Sequence, residues 1–387
     1  MTHDTVPETN TGNTQTGRRR PLTWRRLALR ALWLLLYPAA FLSVSFVRSR
    51  PGLVESVYSQ GIYPPLSETI GGAFSMFPFS FAEMLVYSIV AFLVWFAASS
   101  ISRAVRRRLP LRRFLNSLLM ILIVGGAGLN AFYWMWGFNY FRVPLRNRLG
   151  IVQTERTPEQ LESLCLLLAE AANRTRSGLE ENNEGIFVFQ GGQREALKLI
   201  PAAYANLGKI LPLFDRRVYR PKPVLASELM SYAGISGIFI PFTEEANVNV
   251  ADPPLLVGSS AAHETAHFLG IASEDEANFT AYLACLASDS PELEYSGLML
   301  ALIHAGNALS RVDRSAYADL WKSYSDAVVR DLDQYNAYLQ SHQGEVAETV
   351  DKVNDNYLKA NGQAAGVASY GQMVDLLLDY YGRAAEP

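Results

Sequence analysis

Three long stretches of the chain, of 17 residues or more, carry no charged residue: 31–47, 84–102 and 114–141. A helix needs about 20 apolar residues to cross the hydrocarbon of a bilayer, and about 17 at the short end. Each stretch therefore predicts a membrane span, at about 31–47, 84–102 and 114–137. Trp33 and Tyr37 in the first, and Tyr133, Trp134 and Trp136 in the third, suit the headgroup region where amphipathic rings settle. From Thr157 onward the pattern changes to shorter apolar runs broken by polar turns. Apolar residues at helical spacing predict helices over 158–172 (behind Thr157 as N-cap), 191–207, 259–269, 275–288, 291–310, 315–338 and 373–381. Short β-rich runs lie at 222–226, 237–242 and 246–250. The last alternates apolar and polar residues, which reads as an edge or half-buried strand. The fold class expected is mainly α (α+β), with a small β-sheet and a helical C-terminal part.

Charge then orients the spans. Residues 1–113 hold 14 Arg, no Lys and 5 acidic residues, a balance of +9, so the rest carries −12 to reach the net −3. Arginines crowd before the first span and between the second and third, and basic clusters of this kind stay on the cytoplasmic side. The link 48–83, with two Arg, three Glu and Gly/Pro punctuation, reads as an outside loop. The expected domains are a disordered basic cytoplasmic tail over 1–30, a three-helix membrane region over 31–141, and an extracytoplasmic domain over 142–387. That domain should behave as an acidic soluble protein if cut free near residue 142. The expected location is the inner or plasma membrane, multi-pass, with the N-terminus cytoplasmic. Near-neutral net charge argues against nucleic acid as a partner.

Two of only five histidines fall in Ala262-His-Glu-Thr-Ala-His-Phe-Leu-Gly270. His263 and His267 are i and i+4, so a helix projects both imidazoles from one face at a spacing that binds one Zn²⁺. Glu264 is then placed to take a proton from a water that the metal activates. A second helix opens behind Ser273, with Glu274 and Asn278 also i and i+4. This favours Glu274 as the third metal ligand and Asn278 as the partner that orients a ligand histidine. Glu276 is the competitor, although two positions along a helix turn about 200° away from Glu274. Cys165 and Cys285 sit among apolar neighbours and read as buried small hydrophobes, with a disulfide left open.

His263-Glu-Thr-Ala-His267 followed by Glu274-Asp-Glu-Ala-Asn-Phe279 resembles the gluzincin type of zinc metallopeptidase. More closely, the run from Arg220-Pro-Lys-Pro through Gly234-Ile-Ser-Gly-Ile-Phe, Glu245-Ala-Asn-Val-Asn-Val250 and Phe279-Thr-Ala-Tyr-Leu-Ala-Cys285 is similar to the DUF3810 family of bacterial membrane proteins. Asn354-Asp-Asn-Tyr-Leu-Lys-Ala-Asn-Gly362 and Ser369-Tyr-Gly-Gln-Met-Val-Asp-Leu-Leu378 extend that similarity. The gluzincin resemblance implies a zincin-like domain, and an edge strand before the zinc helix that pairs with the substrate backbone. Ala246, Asn247 and Val248 occupy the matching place. It also implies an oxyanion stabiliser, for which Tyr357, Tyr370 and His304 are candidates without a spacing argument. Asn278 departs from the Asp found in many gluzincins.

The expected function is therefore a membrane-anchored zinc-dependent metallopeptidase that hydrolyses peptide bonds of a peptide or protein substrate, with Glu264 as general base. The alternative is a zinc-bearing, non-catalytic protein that binds or senses an envelope component. A transporter component is disfavoured, because the three spans contain no charged residue to mark an ion path.

Overall fold

The computed structural model describes residues 23–106, 111–152, 156–361 and 372–384. Three helices are long and apolar enough to cross a membrane: α1 (Trp24–Arg48), α2 (Phe81–Val105) and α3 (Leu111–Met135). Their apolar side chains point outward, as in Phe41, Val94 and Val124, each more than 60% exposed. An unpartnered apolar surface of this kind suits a helix whose solvent is lipid.

The link between the first two of these helices is helical, not the loop expected from its glycines and prolines. A π-helical segment, Val54–Ile62, runs into an α-helix, Tyr63–Ser75. Pro64 and Pro65 fall in the first turn of that helix, at its junction with the π-helical segment. Nor does the link lie apart from the rest of the chain. Val54, Tyr58 and Tyr63, with Trp136, Phe138 and Phe141, belong to one hydrophobic core with the helices that follow residue 157. Residue 142 is thus no boundary of the core.

Beyond it come α4 (Pro158–Arg176) and α5 (Gln193–Ile210). Thr157 caps α4 with a reciprocal box through Gln160, which satisfies two donors at once. The sheet has three short strands: β1 (Lys222–Pro223), β2 (Gly237–Ile240) and β3 (Glu245–Val248). Its order is β1-β3-β2, with β3 parallel to β1 and antiparallel to β2. The strand expected to be an edge or half-buried is therefore the central one, and it is buried throughout. Its alternating asparagines are buried and bonded rather than solvated: Asn247 donates to the Ile238 and Glu245 carbonyls, and Asn249 to Ser231 and Asp252.

Next are α6 (Pro254–Phe268), which carries the histidine motif, and α7 (Glu274–Leu286), which packs along it. The layer behind them is α8 (Pro291–Val312). The stretch 315–338 divides into α9 (Arg314–Lys322) and α10 (Asp326–His342), because Ser325 accepts the Val328 N–H and starts a new helix. Two more helices follow: α11 (Glu345–Ala360), which has no counterpart among the elements expected from the pattern, and α12 (Met373–Ala384). Cys165 and Cys285 are buried and unbridged.

Candidate metal centre

The helical repeat of α6 does what the spacing requires. His263 and His267 stand one turn apart, ring centroids 4.7 Å apart and planes nearly perpendicular. Gly270, at φ +77°, lets the chain turn back so that α7 begins at Glu274 beside them. Glu274 Oε2 lies 3.1 Å from His263 Nε2 and 3.7 Å from His267 Nε2. One ligand atom from each of the three residues falls within 4.8 Å of the others.

The far side of each ring fixes its tautomer. His267 Nδ1 is 2.7 Å from the Ile271 carbonyl, an acceptor only, so Nδ1 carries the hydrogen. His263 Nδ1 is 2.7 Å from Asn278 Oδ1. Both Nε2 atoms face the Glu274 carboxylate, so a ring that carries its hydrogen on Nδ1 alone turns a lone pair toward it. Three electron-rich atoms facing one another call for a cation. Tetrahedral zinc with bonds of about 2.0–2.1 Å sets its ligands roughly 3.3 Å apart, and the observed 3.1 and 3.7 Å bracket that spacing. The donor set fits zinc.

A shared proton can meet the same demand. Burial disfavours a charged His267, yet the charge and hydrogen bonding of Glu274 raise it to about 9. Burial likewise opposes ionisation of Glu274, but His267 and His263 hold its carboxyl well below the usual range.

Glu264 is 6% exposed and lies against β2. It accepts the Phe239 N–H, and burial pushes its carboxyl up despite the two histidines. The contact with Gly237 is close: a Cβ there would stand 2.6 Å from Glu264 Cγ and Oε1. Gly237 is thus a positioning residue that spacing arguments missed. A glycine within a β-rich run was its signal, since such residues mark close approach.

Glu276 points away. Its Oε1 accepts the Leu145 N–H at 2.6 Å, and it faces the guanidinium of Arg148. Glu274 alone of the two joins the histidines. Ala246 and Val248 are interior to the sheet, and Asn247 is committed to Ser80 and Ile238, so none of the three offers a free strand edge. Of the candidate oxyanion stabilisers, Tyr370 lies outside the described residues, and His304 is half-buried on α8. Tyr357 lies near the centre. Tyr140 donates to its hydroxyl at 3.1 Å, and burial together with the charge of Glu274 raises it to about 12.

The C-terminal carbonyls of α6 have no intrahelical partners, and residues from far upstream supply them. The Trp136 indole donates to the His267 carbonyl at 2.8 Å, and Tyr63 donates to that of Phe268 at 2.8 Å. Arg142 donates to the Gly270 carbonyl at 2.9 Å while pairing with Glu55.

Fold and site together define a mostly helical protein with three span-length apolar helices and, among the described residues, one His, His, Glu cluster able to hold a metal ion. Residues 58–378 match a family described as a protein of unknown function, DUF3810, and the chain belongs to it. No curated protein and no solved structure matches the chain.

Proposed function

We propose that this chain is a membrane-anchored zinc-dependent peptidase. His263, His267 and Glu274 would hold the metal, in a domain of zincin-like design facing away from the cytoplasm. The observation that carries this reading is the convergence of two tautomer-fixed Nε2 atoms and one carboxylate, with Glu264 beside them. Bound zinc supplies Lewis-acid polarisation and brings water to a reactive state at neutral pH.

The chain's own residues do the rest. Glu264 takes the proton of the attacking water on its carboxylate and delivers it to the leaving amine, a role suited to a raised carboxyl pKa. The Phe239 N–H holds that carboxylate in place. Tyr140 donates to Tyr357, which leaves the Tyr357 proton for a developing oxyanion. The strand edge that would receive a substrate backbone is that of β2, not residues 246–248. In the β2–β3 ladder, Asn249 N–H bonds to the Ser236 carbonyl and pairing continues at every second residue. Gly237 and Phe239 consequently turn their main-chain groups away from β3; the Phe239 N–H goes to Glu264, so the pairing would use the Gly237 groups and the Phe239 carbonyl.

Metal analysis of the purified full chain, with peptidase assays of wild type and Glu264→Gln, tests the reading. Stoichiometric zinc in both, with hydrolysis lower by ~10²–10⁴-fold in the variant, is expected. Zinc without Glu264-dependent cleavage of any peptide in a library would replace it with the binding role.

A further inference from the structure

The height of the site above the apolar helices follows from its hydrogen bonds. α3 is 25 residues long, about 37 Å at 1.5 Å per residue, against a hydrocarbon thickness of about 30 Å. With Arg112 and Arg113 at its start, its Trp134 and Trp136 end falls at headgroup level. Trp136 is bonded directly to the carbonyl of His267. The start of α2 is tied to the sheet in the same way. Phe81 and Ala82 N–H groups donate to Glu245 at 3.2 and 2.7 Å, and Ser80 donates to Asn247 at 2.6 Å. Glu83 accepts the N–H groups of Leu225 and Ala226 at 2.9 and 2.8 Å.

Two of the three span ends on this side are thus bonded to the elements that carry the site. Residues paired across an antiparallel ladder share a face. Ile238 is opposite Asn247, so it lies on the face that meets the start of α2, and it is 43% exposed there. The other face carries Gly237 against Glu264. Around this level the surface is apolar: Met76, Phe77 and Phe79 precede α2, and Leu225, itself bonded to Glu83, and Leu229 are exposed by 68% and 71%. In water such a patch would be a liability. At a bilayer surface it can sit ~5–10 Å into the boundary of headgroups and acyl chains.

We propose that the centre works at the bilayer surface, with the ridge of Leu225 and Leu229 immersed in lipid, on segments of other polypeptides that lie next to their own membrane anchor. The substrate class rests on the peptidase reading; the depth of the site does not. A tethered segment is already at the height of the β2 edge, and tethering raises its effective concentration without any new contact.

The test uses the full chain in lipid nanodiscs. Cys165 and Cys285 are buried, so a fluorophore can be directed to Leu229→Cys and, as a reference, to Lys322→Cys on α9. Lipids with a nitroxide high on the acyl chain are expected to quench the label at 229 strongly and that at 322 hardly at all. Equal quenching at both overturns the proposal. In parallel, one cleavable sequence is presented free in solution, or fused at increasing distance from a transmembrane anchor. Cleavage ~10²-fold faster next to the anchor, lost by Glu264→Gln, is expected. Equal cleavage of free and anchored forms overturns the substrate class. A quenched label with no Glu264-dependent cleavage of either form overturns the peptidase reading and leaves the site at the lipid surface.

Discussion

The two ends of the motif helix are built from different parts of the chain. The side that carries the histidine cluster is assembled locally: His263 and its partner Asn278 are 15 residues apart. Its C-terminal end is held by Trp136, Tyr63 and Arg142, at separations of 131, 205 and 128 residues. The local side brings the candidate ligands together, and the distant side fixes where that cluster stands.

The largest expected effect separates the two glutamates. Glu274→Ala should weaken zinc binding beyond the ~10–100-fold typical of an outer partner of a metal ligand, measured by competition with a chelator. Glu276→Ala should keep the metal and lower stability instead, because Arg148 loses a neighbouring charge. Loss of zinc affinity in Glu276→Ala alone would reverse the assignment.

Next in size is the distant end. Trp136 is 4% exposed, so Trp136→Ala should cost ~3–5 kcal/mol. A chain beginning at residue 142 should fail to give a cooperative thermal transition, whereas a soluble domain with a sharp melt would show that the two ends are independent. Gly237→Ala should act on the local side alone. It displaces Glu264, lowering turnover at least tenfold while zinc content holds, and overpacking costs ~1–3 kcal/mol. Turnover unchanged in this variant would remove Gly237 from the site.

The smallest effect is in pH. Burial opposes ionisation of Glu55, but Arg142 and Arg148 outweigh it and lower its pKa from 4.5. A carboxyl lowered by folding binds its proton less tightly than in the unfolded chain. Its stabilisation is present above about pH 4.5 and is lost as pH falls through the folded value. Melting temperature plotted against pH should fall less steeply on the acid side in Glu55→Gln, and superimposed profiles would exclude the pair as a contributor.

This contrast also marks what could be read from sequence. A repeat of 3.6 residues fixes i and i+4 neighbours, so His263, His267, Glu274 and Asn278 were legible, and Glu276 was already turned away. The support was not, because Gly61, Pro64 and Pro65 look like loop punctuation although the prolines open a helix. The central strand was misread for a related reason. Asn247 and Asn249 mimic a solvated face, but their amides are satisfied inside the protein, and sequence alone does not separate a polar group facing water from one bonded within the core.

The Trp136 bond to His267 also sets an order of assembly. Chains emerge N-terminus first, so the residues that finish the motif helix leave the ribosome more than a hundred positions before it does. The foundation is available for insertion before the histidines exist. A centre built this way is completed only after the span-length helices and the residues that hold its far end have been made.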